Sequence, residues 1–347
     1  MLSAVAGRRS NGRDDAAAHL ATLTKAQEAI FGGYYTGICT LSESGFHLTK
    51  DVGPLSNLSA QSEIAAMPGA AGIAHSRTKA GGSACRAQPF LGHRGLVAGM
   101  GTGIHGIFGT THKEARQALA AELVRVGTLF PSAESGIGGS AELPDGRTVH
   151  NTDLVVQAVE RQTFSGDSPE DAIRTVVRRV PTEGAYVFLF RDLPDALFVA
   201  NFNQRLVVLT QPSSTSLLSS VLALDRLERS QAAEVPMNSL SVCRAGEFRT
   251  EVLDSERDPL LQRRIPSSLD ESFLEYVRAH PSSTWSTIIE HALVPLFPTG
   301  EATLLTPLGF YVMERLVMDG RIYMQDQIVE GVTPGSTTVQ AVFRVME

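Results

Sequence analysis

The 347-residue sequence has few cysteines, no long hydrophobic run and no cluster of basic residues. Cys39, Cys85 and Cys243 are far apart and odd in number, which argues against a disulfide framework and against a cysteine-based zinc site. No apolar run reaches the roughly 18 residues that a membrane-spanning helix needs. The first residues also lack the order of a secretory signal. We therefore expect a cytoplasmic protein with reduced thiols and no membrane association.

The charge balance and the histidines narrow the choice of ligand. The net charge is −7, and phosphate backbones are bound by clustered lysine and arginine, so we expect no nucleic acid partner. His75, His93, His105 and His112 include no pair with the spacing of a helical metal site. The sequence thus indicates no metal and no cofactor. It favours a small-molecule ligand, or a protein partner such as a second copy of the chain.

Length and composition indicate a folded protein of two domains. Hydrophobic residues make up 43% of the chain and charged residues 19%, as in soluble globular proteins. A chain of this length exceeds one typical domain, so we expect a large domain and a smaller one.

Up to residue 252, short apolar strands alternate with two helices, which predicts an α+β fold. Thr111 and Glu114 form a capping-box pattern for a helix that runs through Val124. Ser168, followed by Pro169, opens the second helix. Strands are predicted at Ser3–Gly7, Tyr35–Leu41, Ala70–His75, Gly95–Met100, Ala185–Arg191, Leu197–Ala200, Leu206–Thr210 and Ser239–Arg244.

A charged segment flanked by prolines predicts a linker at residues 253–264, between a domain at 1–252 and a small domain at 265–347. Three helices followed by a hairpin are the order of a winged helix, so the small domain is predicted to be α/β and winged-helix-like. The helices are predicted from Leu269 to Arg278, from Ser283 or Thr284 toward Leu296, and from Pro307 toward Met318; the strands are Ile322–Val329 and Val339–Val345.

The charge of the predicted small domain argues against DNA. It has four arginines, no lysine and ten acidic residues, a net charge of −6, which is a poor surface for phosphates. We therefore expect the small domain to pack against the first domain or a partner chain rather than to bind DNA. A helical extension that closes an exposed sheet is the alternative.

Several segments, in order and with compatible spacing, resemble one known family over residues 3–252. Gly72–Arg77 reads Gly-Ile-Ala-His-Ser-Arg and matches the Gly-Ile-Ala-His-Thr-Arg run of class II glutamine amidotransferases; Ser3–Gly7 is similar to their opening Cys-Gly-Ile-Val-Gly. Gly33–Gly37, Ala98–Ile104 and Asn151–Asp153 resemble three further family segments. Within the family, the series most resembles the glutaminase domains of glutamine:fructose-6-phosphate aminotransferases. The resemblance implies an N-terminal nucleophile hydrolase fold, a four-layer αββα sandwich.

The resemblance also implies roles for single residues. Arg77 would bind the α-carboxylate of glutamine, a task that suits a planar guanidinium. Asp153 would receive the α-ammonium group, and Gly103 would offer its backbone amide to the oxyanion. Arg77 and Asp153 could instead have purely structural roles. Arg77 could form an ion pair that fixes its loop, and Asp153 could be the N-cap of a helix starting at Leu154.

Departures from the family pattern predict loss of glutaminase chemistry. The family uses an amino-terminal cysteine whose own α-amine is the base. The corresponding residue is Ser3, or Leu2 if the initiator methionines are aligned. Thr102 replaces the oxyanion-hole asparagine, and residues 78–82 lack the family's aromatic lid residue. The leading prediction is a degenerate amidotransferase-like protein that retains binding of an amino acid or a related small ligand.

Other functions remain open from the sequence. Processing that makes Ser3 terminal would give a working amidotransferase that supplies ammonia. Cys85 beside Arg86 is either a relocated nucleophile or an incidental loop thiol. Gly101-Thr-Gly-Ile-His-Gly106 has the spacing of a dinucleotide-binding loop after a strand. The fingerprint also needs its last glycine in the first helical turn and an acidic residue at the end of the next strand, whereas here the helix is capped only at Thr111 and the next strand ends in Pro131-Ser132.

Overall fold

The computed structural model describes residues 1–10, 13–61, 64–104, 112–139, 141–256, 268–297 and 305–346, which form a mixed α/β structure with several sheets. In these ranges the helices are α1 (Ala16–Phe31), α2 (Leu55–Gln61), α3 (Lys113–Arg125), α4 (Asn151–Phe164), α5 (Pro169–Arg179), α6 (Arg226–Gln231), α7 (Leu269–Ala279), α8 (Trp285–Ile288) and α9 (Leu305–Met318).

The strands of the same ranges fall into two large sheets and three small ones. They are β1 (Leu2–Ala6), β2 (Arg9–Ser10), β3 (Arg13–Asp14), β4 (Tyr35–Ser42), β5 (Gly45–Val52), β6 (Ala71–Arg77), β7 (Phe90–Leu91), β8 (Val97–Ile104), β9 (Ala141–Glu142), β10 (Thr148–Val149), β11 (Glu183–Phe190), β12 (Leu197–Phe202), β13 (Val207–Gln211), β14 (Ser214–Leu218), β15 (Ala233–Glu234), β16 (Ser239–Arg244), β17 (Glu247–Val252), β18 (Ser283–Thr284), β19 (Ile322–Glu330) and β20 (Thr337–Val345).

Two antiparallel sheets pack face to face and form the centre of the molecule. The first has the strand order β15-β13-β14-β1-β6-β4-β5, and the second has the order β17-β16-β12-β11-β8-β7. Alternate side chains of each strand point inward, so Leu2 and Ile73 of the first sheet share a buried core with Met100 and Val187 of the second.

Helices cover the outer face of each sheet, which completes four layers. Leu20 of α1 and Leu58 of α2 share a core with the first sheet. On the other side, α3, α4 and α5 bury residues such as Val156 and Ile173 against the second sheet. The cap predicted for α5 is present, because the Ser168 hydroxyl accepts a hydrogen bond from the amide of Asp171 at 3.1 Å.

The sequence predicted ten of the twenty strands in the described ranges, most of them to within two residues at each end, but it missed β5, β14, β17 and the helix α1. This helix has no side-chain cap at Asp15 and is buried along much of its length, so it shows little polar periodicity. The predicted capping box of α3 falls partly outside the described residues, since Thr111 is not among them; the helix begins at Lys113 after His112. Ser268 precedes α7 as predicted but makes no capping hydrogen bond.

The described part of residues 268–346, here called the C-terminal unit, contains α7, β18, α8, α9 and the β19–β20 hairpin. Its small sheet has the order β18-β20-β19. The end of α8 continues as a π-helical turn, Ile289–Leu293. Trp285 and Phe343 lie in one buried cluster with Leu23 and Ile30 of α1, so the unit and the sandwich share a continuous core.

Among the described residues, the side chains of Glu314 and Thr338 make polar contacts that fix the C-terminal unit to the sandwich. The buried Glu314 carboxylate of α9 pairs with Arg205 at 3.0 Å and accepts the amide of Val221 at 3.0 Å. The Thr338 hydroxyl donates to the carbonyl of Gly33 at 2.5 Å. In the described ranges, no helix combines the length and the apolar character that crossing a bilayer requires.

The start of the predicted linker is attached to the sandwich. Leu253 is buried in the core beneath the second sheet. The amide and the carbonyl of Asp254 both bond to the side chain of Asn238, at 3.0 and 2.7 Å. Pro259 and Pro266, on which the linker prediction depends, lie outside the described residues.

Candidate functional site

A cavity of about 380 Å³ lies at one end of the sandwich, where β1 begins and β6 ends. The start of α4 and the loops before β7 and β11 complete its wall. Its lining residues are Met1, Phe31, His75, Arg77, Thr78, Ala80, Arg86, Gln88, Gly101, Thr102, Gly138, Gly139, His150, Asn151, Thr152, Thr182 and Tyr186.

Arg77, the last residue of β6, lines this cavity. The strand register places it opposite Tyr35 of β4, and its guanidinium carbon lies 5.1 Å from the centre of the Tyr35 ring. One terminal nitrogen donates to the carbonyl of Arg86 at 3.0 Å. Among the described residues no carboxylate forms an ion pair with Arg77, so an ion pair fixing the loop is not seen there. The remaining donors are suited to a bidentate acid.

Asp153 lies beneath the cavity and is not one of its lining residues. Its side chain is fully buried. One carboxylate oxygen accepts from the amide and hydroxyl of Ser132, at 2.9 and 2.7 Å, and the other accepts from Gln157 at 2.8 Å. Burial raises the pKa of Asp153, while the bonds from Gln157 and Ser132 oppose that rise. The alternative role as a helix cap is not observed either, because His150 is the N-cap of α4.

Ser3 does not line the cavity. Its hydroxyl points toward α1, where it accepts from Gln27 at 2.7 Å and from Thr24 at 3.4 Å. Met1 lies at the cavity instead, and its amino group donates to the carbonyl of Ser76. Burial lowers the pKa of the Met1 amino group to about 5. Thus the residue that reaches the cavity, Met1, lies two residues before the expected nucleophile position, Ser3.

Thr102 lines the cavity, and Gly103 follows it in β8 opposite Gly184. The preceding residue, Gly101, is held by the buried side chain of Gln88. The Gln88 amide donates to the Gly101 carbonyl at 2.9 Å and accepts from the Gly101 amide at 2.7 Å. The strand β7 begins only at Phe90, which pairs with Gly99. The side chain of Gln88 therefore makes the hydrogen bonds to Gly101 that a longer β7 would make. This role could not be predicted from the sequence, because Gln88 lies in an irregular loop.

Arg86 and His150 complete the wall but are engaged by protein groups. The Arg86 guanidinium donates to the carbonyls of Gly138 and Thr148, at 2.8 and 2.6 Å, and closes the loop that precedes β10. His150 accepts the Thr152 amide through Nδ1 at 3.1 Å, which fixes the start of α4. Neither role was predicted. The Arg86 contacts join segments 52 and 62 residues apart, whereas the His150 cap is a local contact with Thr152, made by a residue type outside the usual caps.

His75 and Asn151 carry buried polar atoms at the cavity. His75 Nδ1 and Asn151 Oδ1 have no hydrogen-bond partner in the described part of the chain. The other end of the Asn151 amide donates to the hydroxyl of Tyr186 at 2.7 Å. The pKa of His75 lies well below its ordinary value, mainly through burial and also through the nearby positive groups, so its ring is neutral. Unpaired buried polar atoms are costly, and a ligand would relieve that cost.

Cys85 lies outside the cavity lining. Its sulfur accepts from the Ser83 hydroxyl at 3.1 Å and donates to Glu134 at 3.5 Å. Of the proposed dinucleotide loop, residues 105 and 106 are outside the described residues. In the described ranges no group of three or more histidine, cysteine or acidic side chains is placed to hold a metal ion.

Solved structures similar to this chain are N-terminal nucleophile hydrolase-like glutamine amidotransferases, and the chain shares their fold. Glutamine phosphoribosylpyrophosphate amidotransferase from B. subtilis, solved with ADP and GMP, superposes with a TM-score of 0.56 at 13% identity, over 90% of this chain and 64% of its own. A structure described as the allosteric regulatory enzyme of purine biosynthesis superposes with a TM-score of 0.56 at 14% identity, over 90% of this chain and 63% of its own. Identities this low show the fold alone.

The sequence itself is similar to a particular aminotransferase. It is 27% identical over 214 residues to glutamine–fructose-6-phosphate aminotransferase (isomerizing) of Zymomonas mobilis. The aligned residues cover 61% of this chain and 31% of that enzyme. The chain therefore spans about a third of the length of this curated relative, and less than two thirds of the length of the two solved structures. No protein-family model matches the sequence.

Proposed function

We propose that this chain is a type 2 glutamine amidotransferase-like protein that binds a small carboxylate ligand through Arg77 and does not hydrolyse glutamine. The observation that carries this proposal is the Arg77 guanidinium at the cavity, without an ion-pair partner among the described residues and held by Tyr35 and the Arg86 carbonyl. Its position in β6 is also the one that resembles the carboxylate-binding arginine of the amidotransferases.

The geometry of β1 and β8 supports the loss of glutaminase chemistry. The Ser3 hydroxyl lies among α1 side chains, away from Arg77, so it cannot attack a ligand in the cavity without rearrangement. Thr102 stands where the resemblance expects an asparagine donor, and the loss of one such donor typically lowers the rate by about 100-fold or more. Asp153 has no contact with the cavity, so the proposal assigns it no ligand.

The C-terminal unit is proposed as a winged-helix-like domain with a packing role. Its helix-strand-helix-helix-hairpin order and its strand order β18-β20-β19 are those of a winged helix. We retain residues 1–252 and 265–347 as the two domains and residues 253–264 as the linker. A protein partner or a homodimer, and a cytoplasmic location, also remain proposals.

A working amidotransferase with a processed Ser3 is the alternative function. Removal of the first two residues would make Ser3 the first residue of β1 and free the place that Met1 occupies at the cavity. Intact-mass measurement of the isolated protein tests this directly. A chain that begins at Ser3 and releases ammonia from glutamine, with the activity abolished by Ser3→Ala, would replace our proposal.

Thermal denaturation with candidate ligands tests carboxylate binding. L-glutamine, L-glutamate and glutarate are compared with fructose 6-phosphate, because a ligand that binds the native state raises the melting temperature. We expect at least one of the carboxylates to raise it by a few degrees in the wild type. Arg77→Met should abolish that rise, whereas Lys79→Met, which removes an exposed positive charge two residues away, should preserve it.

Two outcomes of this experiment count against the proposal. If no carboxylate raises the melting temperature at millimolar concentration, the cavity is not a carboxylate site. If Arg77→Met retains the full rise, the ligand binds elsewhere. Ammonia release from glutamine by the unprocessed wild type, lost in Arg77→Met, would show that binding is right but that the loss of chemistry is wrong.

A further inference from the structure

The charged side chains that line the cavity are all basic. Arg77, Arg86, His75 and His150 line it, and among the lining residues that the structure describes none is an aspartate or a glutamate. Two acidic groups near the lining residues are engaged by protein groups. Glu134 pairs with Arg86 and accepts the amide of Ser83. Glu28, near the Met1 amino group, accepts the amide of Leu55 and the hydroxyl of Ser76. A ligand in the cavity therefore meets positive charge without an acidic counterpart.

The acid expected to hold an ammonium group is not accessible to a ligand. Asp153 has no exposed surface, and Ser132 and Gln157 donate to both of its oxygens. Lys50, whose ammonium group donates to the carbonyls of Ala87 and Cys85, adds positive charge to the surroundings of Asp153. An α-ammonium group in the cavity would thus face Arg77 without compensation, and like charges at such distances repel.

The cavity does offer neutral hydrogen-bonding atoms. Asn151 Oδ1 is a buried acceptor without a partner in the described part of the chain, and its amide nitrogen is fixed by the Tyr186 hydroxyl. His75 Nδ1 is a second buried polar atom that has no hydrogen-bond partner in the described part of the chain. Its ring is neutral, as described above, so it adds hydrogen-bonding capacity without adding positive charge. These atoms suit a ligand that carries an amide or a hydroxyl group.

We propose that the cavity selects a small carboxylic acid that bears a neutral amide or hydroxyl group and no ammonium group, so that glutamine itself is a poor ligand. Arg77 binds the carboxylate, and the Asn151 carbonyl oxygen accepts from the neutral donor. This inference rests on the proposed function, because it takes Arg77 as the carboxylate-binding residue. It adds that the ligand class differs from the amino acid that the resemblance implies.

Calorimetric titration at neutral pH with three matched compounds tests this ligand class. Glutaramate has a carboxylate and an amide; L-glutamine adds an α-ammonium group; glutaramide replaces the carboxylate with a second amide. We expect glutaramate to bind the full-length protein at least tenfold more tightly than glutamine. Glutaramide should not bind measurably, and Arg77→Met should remove the binding of glutaramate.

A substitution in the cavity supplies the missing acidic group. Asn151→Asp keeps the side-chain shape and places a carboxylate at the lining. The Asn151 amide now donates to the Tyr186 hydroxyl, and in the variant that hydroxyl must donate to the carboxylate instead. We expect this substitution to shift the ratio of the two dissociation constants at least tenfold in favour of glutamine. Asp153→Asn should leave that ratio unchanged in the folded protein, because Asp153 touches no ligand; its folding is checked by the melting temperature.

The outcomes separate this inference from the proposed function. If glutamine binds as tightly as glutaramate or more tightly, with both dependent on Arg77, the ligand class is wrong and carboxylate binding stands. The same conclusion follows if Asp153→Asn weakens glutamine selectively. If neither acid binds in an Arg77-dependent way, carboxylate binding by the cavity fails, and the inference fails with it.

Discussion

Arg205→Met is expected to lower the free energy of unfolding by about 3–5 kcal/mol, because it leaves a buried carboxylate without its partner. Glu314 is 1% exposed, and Arg205 donates to it through two nitrogens, at 3.1 and 3.0 Å. Arg205 comes from the sandwich and Glu314 from α9, so the loss falls on the contact between the sandwich and the C-terminal unit. Urea denaturation of the purified variant measures the change.

A surface arginine provides the matched control for Arg205. Arg249 pairs with Glu170 at 3.2 Å and with Glu251 at 2.9 Å, and its side chain is 54% exposed. Arg249→Met should cost only about 0–1 kcal/mol, since exposed ion pairs contribute little. Equal losses in the two variants would show that Arg205 and Glu314 do not form a buried pair.

The pH dependence of Arg205→Met follows from Glu314. Burial already raises the pKa of Glu314, and Arg205 opposes that rise. Without Arg205 the folded pKa lies further above its unfolded value, so the native state binds more protons than the unfolded state between the two values. The variant should therefore recover stability as the pH falls from 8 toward about 5. A deficit that stays constant over this range would contradict the assignment.

Gln88→Leu is expected to destabilise the protein by about 2–4 kcal/mol, because it leaves two buried backbone groups of Gly101 unsatisfied. Gln88 is buried and bonds to both the amide and the carbonyl of Gly101, as an adjacent strand would. Gly101 lies directly beside Thr102 at the cavity. The substitution should thus also weaken ligand binding, which the thermal denaturation experiment measures in parallel with urea denaturation.

The chain contains the same arrangement on its surface. Gln117 bonds to the amide and the carbonyl of Glu142, at 2.8 and 2.5 Å, but in an exposed position where water can replace it. Gln117→Leu should cost less than about 1 kcal/mol, because the freed groups are solvated. A loss for Gln88→Leu no greater than that for Gln117→Leu would mean that the Gly101 groups find other partners.

The alternation of apolar residues was sufficient to predict ten of the twenty strands in the described ranges and an α+β fold; the four-layer sandwich was predicted only from the resemblance. The alternation was not sufficient for β1. The motif match offered Ser3 for the nucleophile position, or Leu2 if the initiator methionines are aligned, and a shift of one residue changes the side of a strand that a side chain faces. The structure brings Met1 to the cavity and turns Ser3 toward Gln27. The register is set by pairing with β6 and β14, which no local pattern reveals.

In the candidate site, the sequence indicated where Arg77 lies but not what surrounds Asp153. The position of Arg77 at the end of a strand follows from the run that precedes it, and the structure places Arg77 at the cavity. Asp153 lies at the start of a helix, as the resemblance expected, but its accessibility depends on Ser132 and Gln157. Those two side chains close over it from another loop and from the next helical turn. Such contacts appear only once the chain is folded.

The resonance of the Arg77 side-chain Nε–H group tests the central claim most directly. In ¹⁵N-labelled protein this resonance is assigned by its loss in Arg77→Met, and it is followed while glutaramate is added. The claim predicts a saturable shift of the Arg77 resonance, with little change for the exposed Arg147, which already pairs with Asp145. Glutaramate that binds without moving the Arg77 resonance, or that moves both resonances equally, would contradict carboxylate binding at this cavity.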